Sequence, residues 1–182
     1  MTTKKKEMTA AQIIRNRRLR LETKAGYGSL LIQILMFAVV GWLLLTQVLL
    51  VTQAKDNEMF PSVKAGDLII AFRRQGQYVK NDVVVYQVDG QRKVGRVLAR
   101  ETDLVMMDDS GDLLVNGTAQ TGEIMYPTYE KEGIEYPYQV PEGSVFILCD
   151  YRTNGRDSRD YGAISLGHVE GKVITILRRR GL

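Results

Sequence analysis

The sequence predicts a mainly β protein: one antiparallel β-domain preceded by a single N-terminal transmembrane helix. Two observations carry this. A charge-free apolar run from Leu30 to Val51 stands near the start of the chain, and a series of short Val-, Ile- and Leu-rich segments separated by turn residues fills most of the chain beyond it. The 182 residues suffice for one ordinary domain and an appendage.

The net charge of +4 and pI near 9.2 belong to one end of the chain. The first 27 residues carry Lys4, Lys5, Lys6, Arg15, Arg17, Arg18, Arg20 and Lys24 against Glu7 and Glu22, a surplus of six. No charge occurs in 28–51, so the remainder sums to two negative charges. A globally basic chain would invite a nucleic-acid partner; a basic tail ahead of an apolar run does not.

Only Gln33, Gly41, Thr46 and Gln47 interrupt the apolar run. As a helix its 22 residues reach roughly 33 Å, enough to cross a hydrocarbon core. A cleavable signal peptide has a shorter apolar region, although Thr52 and Ala54 mimic a cleavage site. The expected division is a basic cytoplasmic tail at 1–27, a transmembrane helix at 28–52 and an extracytoplasmic domain at 53–182 in a single-pass cell-membrane protein. Within the tail, Ala10–Leu21 reads either as a solvated topogenic segment or as a short basic helix on anionic lipid.

Strands are predicted at Asp67–Phe72, Asp82–Val88, Lys93–Ala99, Leu104–Met107, Leu113–Val115, Ser144–Cys149 and Lys172–Leu177. Asp89-Gly90, Asp109-Ser110-Gly111-Asp112 and Asn116-Gly117 supply hairpin turns, which also explains the apparent sequon at Asn116. Glu123–Pro141, with four tyrosines and three prolines, reads as an excursion whose rings pack on the domain rather than grip a partner. Cys149 has no cysteine to pair with and reads as a small buried hydrophobe; His168 reads as a surface or edge residue.

Three segments in order carry a resemblance. Glu58-Met59-Phe60-Pro61-Ser62-Val63 with Gly66-Asp67 resembles the Ser-Met-x-Pro-Thr-Leu…Gly-Asp segment of the type I signal peptidases. Gly95-Arg96-Val97-Leu98-Ala99 stands where that family has Lys-Arg-Val-Ile-Gly, and Cys149-Asp150-Tyr151-Arg152 through Gly155 to Arg159 resembles its Gly-Asp-Asn-Arg-x-x-Ser-x-Asp-Ser-Arg segment. The resemblance covers about residues 28–178 and implies a signal-peptidase-like β-domain. It also implies a serine nucleophile with a lysine base, a pairing that works because desolvation lowers a lysine's pKa far enough to take the serine proton. Here Glu58 replaces the serine, Gly95 the lysine, and Gly155 the serine that orients the lysine.

The expected protein is therefore non-catalytic. Its groove, formed by Asp56, Asn57, Glu58, Met59, Phe60 and Pro61 on one side and Lys93, Gly95 and Arg96 on the other, is expected to take an extended peptide by strand addition. Gly95 is expected to widen the groove floor and Glu58 to favour a basic ligand residue. Asp150, Asp157, Ser158 and Arg159 are implied to brace the loop beneath the site. Lys93, two residues before Gly95 on the same strand face, is placed to pair with Glu58 or to remain solvated. Rival catalysts are Ser62 and a water-activating Glu58 assisted by Asp56; either would make this an active signal peptidase with displaced chemistry. The chain also resembles serine-less members that assist pilus assembly in Gram-positive bacteria, implying exported proteins, pilin subunits or sortase as partners, besides the lipid bilayer. No cofactor, metal or nucleic acid is expected. The Glu58 motif follows the predicted span by only about seven residues.

Overall fold

A computed structural model gives the structure of the protein; it describes residues 10–120 and 126–178. The chain divides at Leu44/Leu45 into two compact units. The first is the helix α1 (Ala10–Leu43), whose side chains from Leu30 to Leu43 are largely exposed on every side. The stretch Gly26–Val48, with mean hydropathy 2.3, is long and apolar enough to span a membrane. Lys4, Lys5, Lys6 and Glu7 lie outside the described residues. Residues 10–21 are not a separate short helix but the start of α1.

The expected span of 28–52 is too long at its C-terminal end. After five π-helical residues at Leu44–Val48, the chain forms strand β1 (Leu49–Gln53), which pairs with β2 (Leu68–Phe72) from Leu49 opposite Phe72 to Gln53 opposite Leu68. An apolar run cannot by itself separate helix from strand. Here period-two burial decides, with Leu50 at 4% exposure in the core and Val51 at 47% outside. The β-domain therefore begins at Leu49 rather than at 53.

The remaining strands are β3 (Val83–Val88), β4 (Gln91–Arg100), β5 (Leu104–Met107), β6 (Leu113–Val115), β7 (Thr118–Ala119), β8 (Tyr138–Gln139), β9 (Ser144–Leu148), β10 (Ile164–Ser165) and β11 (Val169–Leu177). All seven predicted strands are present. The last starts three residues earlier than expected; β7, β8 and β10 have only two residues each, too few to announce themselves, and β1 is hidden in the end of the apolar run. One sheet has the order β1-β2-β11-β3-β4-β9-β10 and a second the order β7-β6-β5-β8; every pairing is antiparallel. Asp89 and Gly90 close the β3–β4 hairpin with φ of 50° and 71°, the primed turn that an Asp-Gly pair favours.

The register leaves one edge open where it matters. Strand β4 pairs with β3 from Gln91 to Arg96, but with β9 only from Arg96 onward. Residues 91–94 thus keep unpaired backbone groups on the side that β9 covers farther along.

Candidate functional site

The loop between β1 and β2 presents Glu58. Met59 and Val63, four residues apart on one turn, are 2% and 1% exposed and plug the loop into the core. The Met59 Sδ accepts from the Asp150 N–H at 3.3 Å. With both flanks held, Glu58 aims its carboxylate at β4. The Lys93 Nζ donates to Glu58 Oε2 at 2.7 Å and Oε1 at 3.0 Å. A longer contact comes from the Arg156 N–H to Oε1 at 3.3 Å, and the Cys149 Sγ lies 3.8 Å from Oε2. The side chains of Lys93 and Glu58 are 10% and 17% exposed. Of the two expectations for Lys93, the structure gives the ion pair.

Burial alone would lower the Lys93 pKa, but the hydrogen bond and charge of Glu58 outweigh it and hold the ammonium above its ordinary range. A lysine base needs the opposite shift. Because the folded state holds this proton more tightly than the unfolded chain, the stabilisation is complete below the ordinary lysine value of 10.5 and disappears as pH rises through the folded-state value. Thermal melting between neutral pH and strong alkali should therefore show an alkaline loss in the native chain that is smaller in Lys93→Met. Identical alkaline profiles would overturn the pairing.

At Gly95 and Gly155, the positions that the resemblance matches to the family's lysine and orienting serine, neighbouring side chains leave no room for a Cβ. A Cβ on Gly95 would overlap Ile147 Cγ2 and lie 3.1 Å from Tyr86 Cε1. Gly95 is itself buried, so it does not widen the floor of a groove; core side chains have filled the space above it. A Cβ on Gly155 would overlap the Cys149 Cβ and lie 2.8 Å from its Sγ. Cys149, read as a small hydrophobe, is indeed fully buried, and burial pushes its thiol pKa up. What the sequence did not show is that it occupies the centre of the site. Burial both shields this thiol and disfavours its thiolate. Iodoacetamide should leave it unmodified until the protein unfolds, as mass spectrometry would show.

The bracing residues form two clusters. Arg96 grips Asp150 with Nε–Oδ1 at 2.8 Å and Nη2–Oδ2 at 2.6 Å, and the Ser62 hydroxyl donates to Asp150 Oδ2 at 2.5 Å. Arg96 is therefore a brace alternating to the other face of β4, not a groove residue. Ser62 has as its acceptor a carboxylate already paired with arginine, while Lys93 is committed to Glu58, so among the described residues neither stands as a free base for it. Beneath lies the pair of Asp157 and Arg159, 0% and 2% exposed, joined by Nε–Oδ1 and Nη2–Oδ2 contacts of 2.9 Å each. Asp157 also caps the short helix α2 (Ser158–Tyr161) and accepts from the Cys149 N–H. Ser158 accepts from the Ile147 N–H. Arg152, which sequence reasoning did not single out, is 2% exposed, donates to Thr128 Oγ1 at 2.9 Å, and has its pKa lowered to about 10 by burial.

A small depression of about 60 Å³ lies beside the open edge of β4, between Thr52–Asp56 with Met59 and Val63 on one side and Arg92–Val94 on the other. Asp56, Met59 and Lys93 of the expected groove line it. Asn57 instead accepts from the Ala65 N–H within its own loop, and Phe60 packs near Tyr151 at 6.4 Å between ring centres. Pro61 follows a cis peptide bond in the same loop. The carboxylate of Glu58 is neutralised by Lys93, so it does not call for a basic ligand residue.

The site is thus an antiparallel scaffold that sets the Glu58 carboxylate of a loop against Lys93 of a strand, beside an unpaired stretch of strand edge. The chain belongs to the signal peptidase family, peptidase S26, whose family model matches residues 26–177. Among curated relatives, a probable thylakoidal processing peptidase 2, chloroplastic, from Arabidopsis thaliana is 30% identical over 65% of this chain and 35% of its own length. Mitochondrial inner membrane protease subunit 1 from Saccharomyces cerevisiae is 29% identical over 68% of this chain and 64% of its own. Signal peptidase I from Bacillus caldolyticus is 24% identical over 65% and 74%. The chain thus spans from about a third to three quarters of the length of these relatives. A solved signal peptidase I from Enterococcus faecalis V583 is 26% identical, with a TM-score of 0.46 over 54% of this chain and 97% of that one.

Proposed function

We propose that this chain is a non-catalytic member of the signal peptidase family that binds an exported protein or peptide outside the membrane and assists pilus assembly. The observation that supports the first part is the Glu58–Lys93 pair: a carboxylate stands at the position the resemblance gives to the serine nucleophile, and Lys93, two residues before the position it gives to the lysine, is held charged by that carboxylate. A lysine held in its charged form cannot take a proton from a nucleophile, and a carboxylate occupied by that lysine is a poor substitute for the serine–lysine pair. The unpaired edge at residues 91–94 supports peptide binding, because an extended chain adds to such an edge through its backbone. The pilus role, with pilin or sortase as partner, rests on the sequence resemblance to serine-less pilus-assembly proteins.

The test is incubation of the detergent-solubilised chain with an exported precursor. The precursor should remain whole while still being retained by the protein. Cleavage that disappears in Ser62→Ala or Glu58→Gln would show a peptidase with displaced chemistry and sink the proposal. Arginine at Gly95 is a poor block for the groove, since it would strike Ile147 in the core. Proline at Arg92 is the better one: it removes a backbone donor at the open strand, and the side chain is 38% exposed. Assembly of pili unimpaired by Arg92→Pro, in a folded variant, would refute recognition through this edge.

A further inference from the structure

We infer that a cleft at the other end of β4 from the groove is a second binding site, where Lys80, Arg100 and the buried amide of Gln120 take an acidic segment of an extended peptide.

The cleft holds about 450 Å³ where the end of β4 meets β6 and β7. Arg100 stands seven residues beyond Lys93 on β4, about 23 Å along the strand, so this site is separate from the groove. Each wall carries a cation on fixed backbone. Lys80 sits in a turn that the Asp82 N–H closes onto the Val79 carbonyl at 3.1 Å and that the Asn81 N–H ties to the Val97 carbonyl of β4 at 2.8 Å. The Arg100 N–H donates to Asp103 Oδ2 at 2.8 Å, and the Asp103 N–H returns to the Arg100 carbonyl at 3.1 Å. Both cations are exposed, and neither has an ion pair among the described residues. Asp103 is the carboxylate of the lining, and both its oxygens already accept, from the Arg100 N–H and from Asn116 Nδ2. Against Lys80 and Arg100 it leaves a surplus of one positive charge.

The floor adds a demand for a donor. Thr118 stands opposite Val115, and the Gln120 N–H meets the Leu113 carbonyl, so alternation turns Val115, Thr118 and Gln120 to one side of the second sheet. Gln120 is 8% exposed. Its Nε2 donates to the Thr118 carbonyl at 2.7 Å, which settles which end of the amide is oxygen, and its Oε1 is buried without a hydrogen-bond partner. The free protein already carries the cost of drying that acceptor, so a ligand that brings it an N–H gains a full hydrogen bond. Leu98 and Val115, 3% and 9% exposed, give the cleft an apolar base, and Val79, 49% exposed, an apolar rim.

Chemistry selects the occupant. An extended acidic peptide carries every complement: a carboxylate for Lys80 and Arg100, a backbone N–H for Gln120, and an apolar side chain for Leu98, Val115 and Val79. A polyol phosphate offers anions and hydroxyl donors but nothing for the apolar base. A neutral peptide leaves both cations unmatched.

The test is titration calorimetry on the full chain in neutral detergent, with an acetylated, amidated hexapeptide of alternating valine and aspartate. It should bind roughly tenfold more tightly than the same peptide with asparagine. Lys80→Gln/Arg100→Gln should remove that difference, whereas Lys64→Gln/Arg178→Gln, which takes two exposed positive charges from elsewhere, should preserve it. Gln120→Leu should weaken the aspartate peptide about fivefold and leave unchanged its ester analogue, in which oxygen replaces the backbone N–H groups. Thermal melting checks that each variant is folded. Equal affinity for the two peptides, no heat at millimolar peptide, an equal effect of the control pair, or an equal loss for peptide and ester would each overturn the proposal. A preference for aspartate that survives Lys80→Gln/Arg100→Gln would overturn it in favour of the groove. Poly(glycerol phosphate) binding more tightly than the peptide, undiminished by Gln120→Leu, would overturn it in favour of a phosphate polymer.

Discussion

Replacing Asp157 with alanine is expected to destabilise the β-domain by about 3–5 kcal/mol. The carboxylate is fully buried, and its removal leaves the Arg159 guanidinium 2% exposed with its charge unmatched. The Cys149 N–H and the capping box of α2 lose their acceptor at the same time, each an additional cost of about 1 kcal/mol. Arg159 would retain the carbonyls of Tyr129 and Arg152, which neutral dipoles supply, but no anion. Urea denaturation in detergent measures the effect. A loss below about 1 kcal/mol would mean that the pair does not hold the loop beneath the site. The double variant Asp157→Ala/Arg159→Met should be milder than Asp157→Ala, since it removes the stranded charge along with the pair.

The double variant Glu58→Ser/Gly95→Lys, which restores the family's nucleophile and base on paper, is expected to cut no precursor and to lose about 1–3 kcal/mol of stability. The new Cβ would run into Ile147 Cγ2, in the core among Tyr86, Val84 and Val97. Lys93 would also remain near the new serine without the carboxylate that paired it. Adding Ile147→Ala should recover part of the stability by opening space. Restoring the orienting serine at Gly155 meets the same obstacle in Cys149, so Gly155→Ser alone should destabilise and Gly155→Ser/Cys149→Gly should not. Specific cleavage of an exported precursor by Glu58→Ser/Gly95→Lys would show that packing had not closed the site and that only the two side chains were missing.

These two expectations separate what can be read in one dimension from what cannot. The strands at 68–72, 83–88 and 104–107 follow from short apolar runs between turn residues, and the Asp89-Gly90 hairpin follows from its dipeptide. Motif order gave the family. The Glu58–Lys93 contact was one of two readings for Lys93, available because residues two apart on a strand share a face. Arg96 shows the limit of the same rule: adjacency to Gly95 in the motif suggested a groove position, whereas alternation sends it to Asp150.

By itself the sequence determined that one apolar segment is long enough to cross a membrane and that the rest is antiparallel β, and its resemblance to the family implies that Glu58, Gly95 and Gly155 stand in place of serine, lysine and orienting serine. Those are properties of composition, period and residue identity, which act locally. Tertiary structure alone decided that the apolar run ends in a core strand at Leu49. It also decided that Ile147 and Cys149 crowd the space a side chain at Gly95 or Gly155 would enter, and that Glu58 is satisfied by Lys93. Each depends on which distant segments meet within a few ångströms, and burial of a charge or a methyl group has no counterpart in the order of residues along the chain.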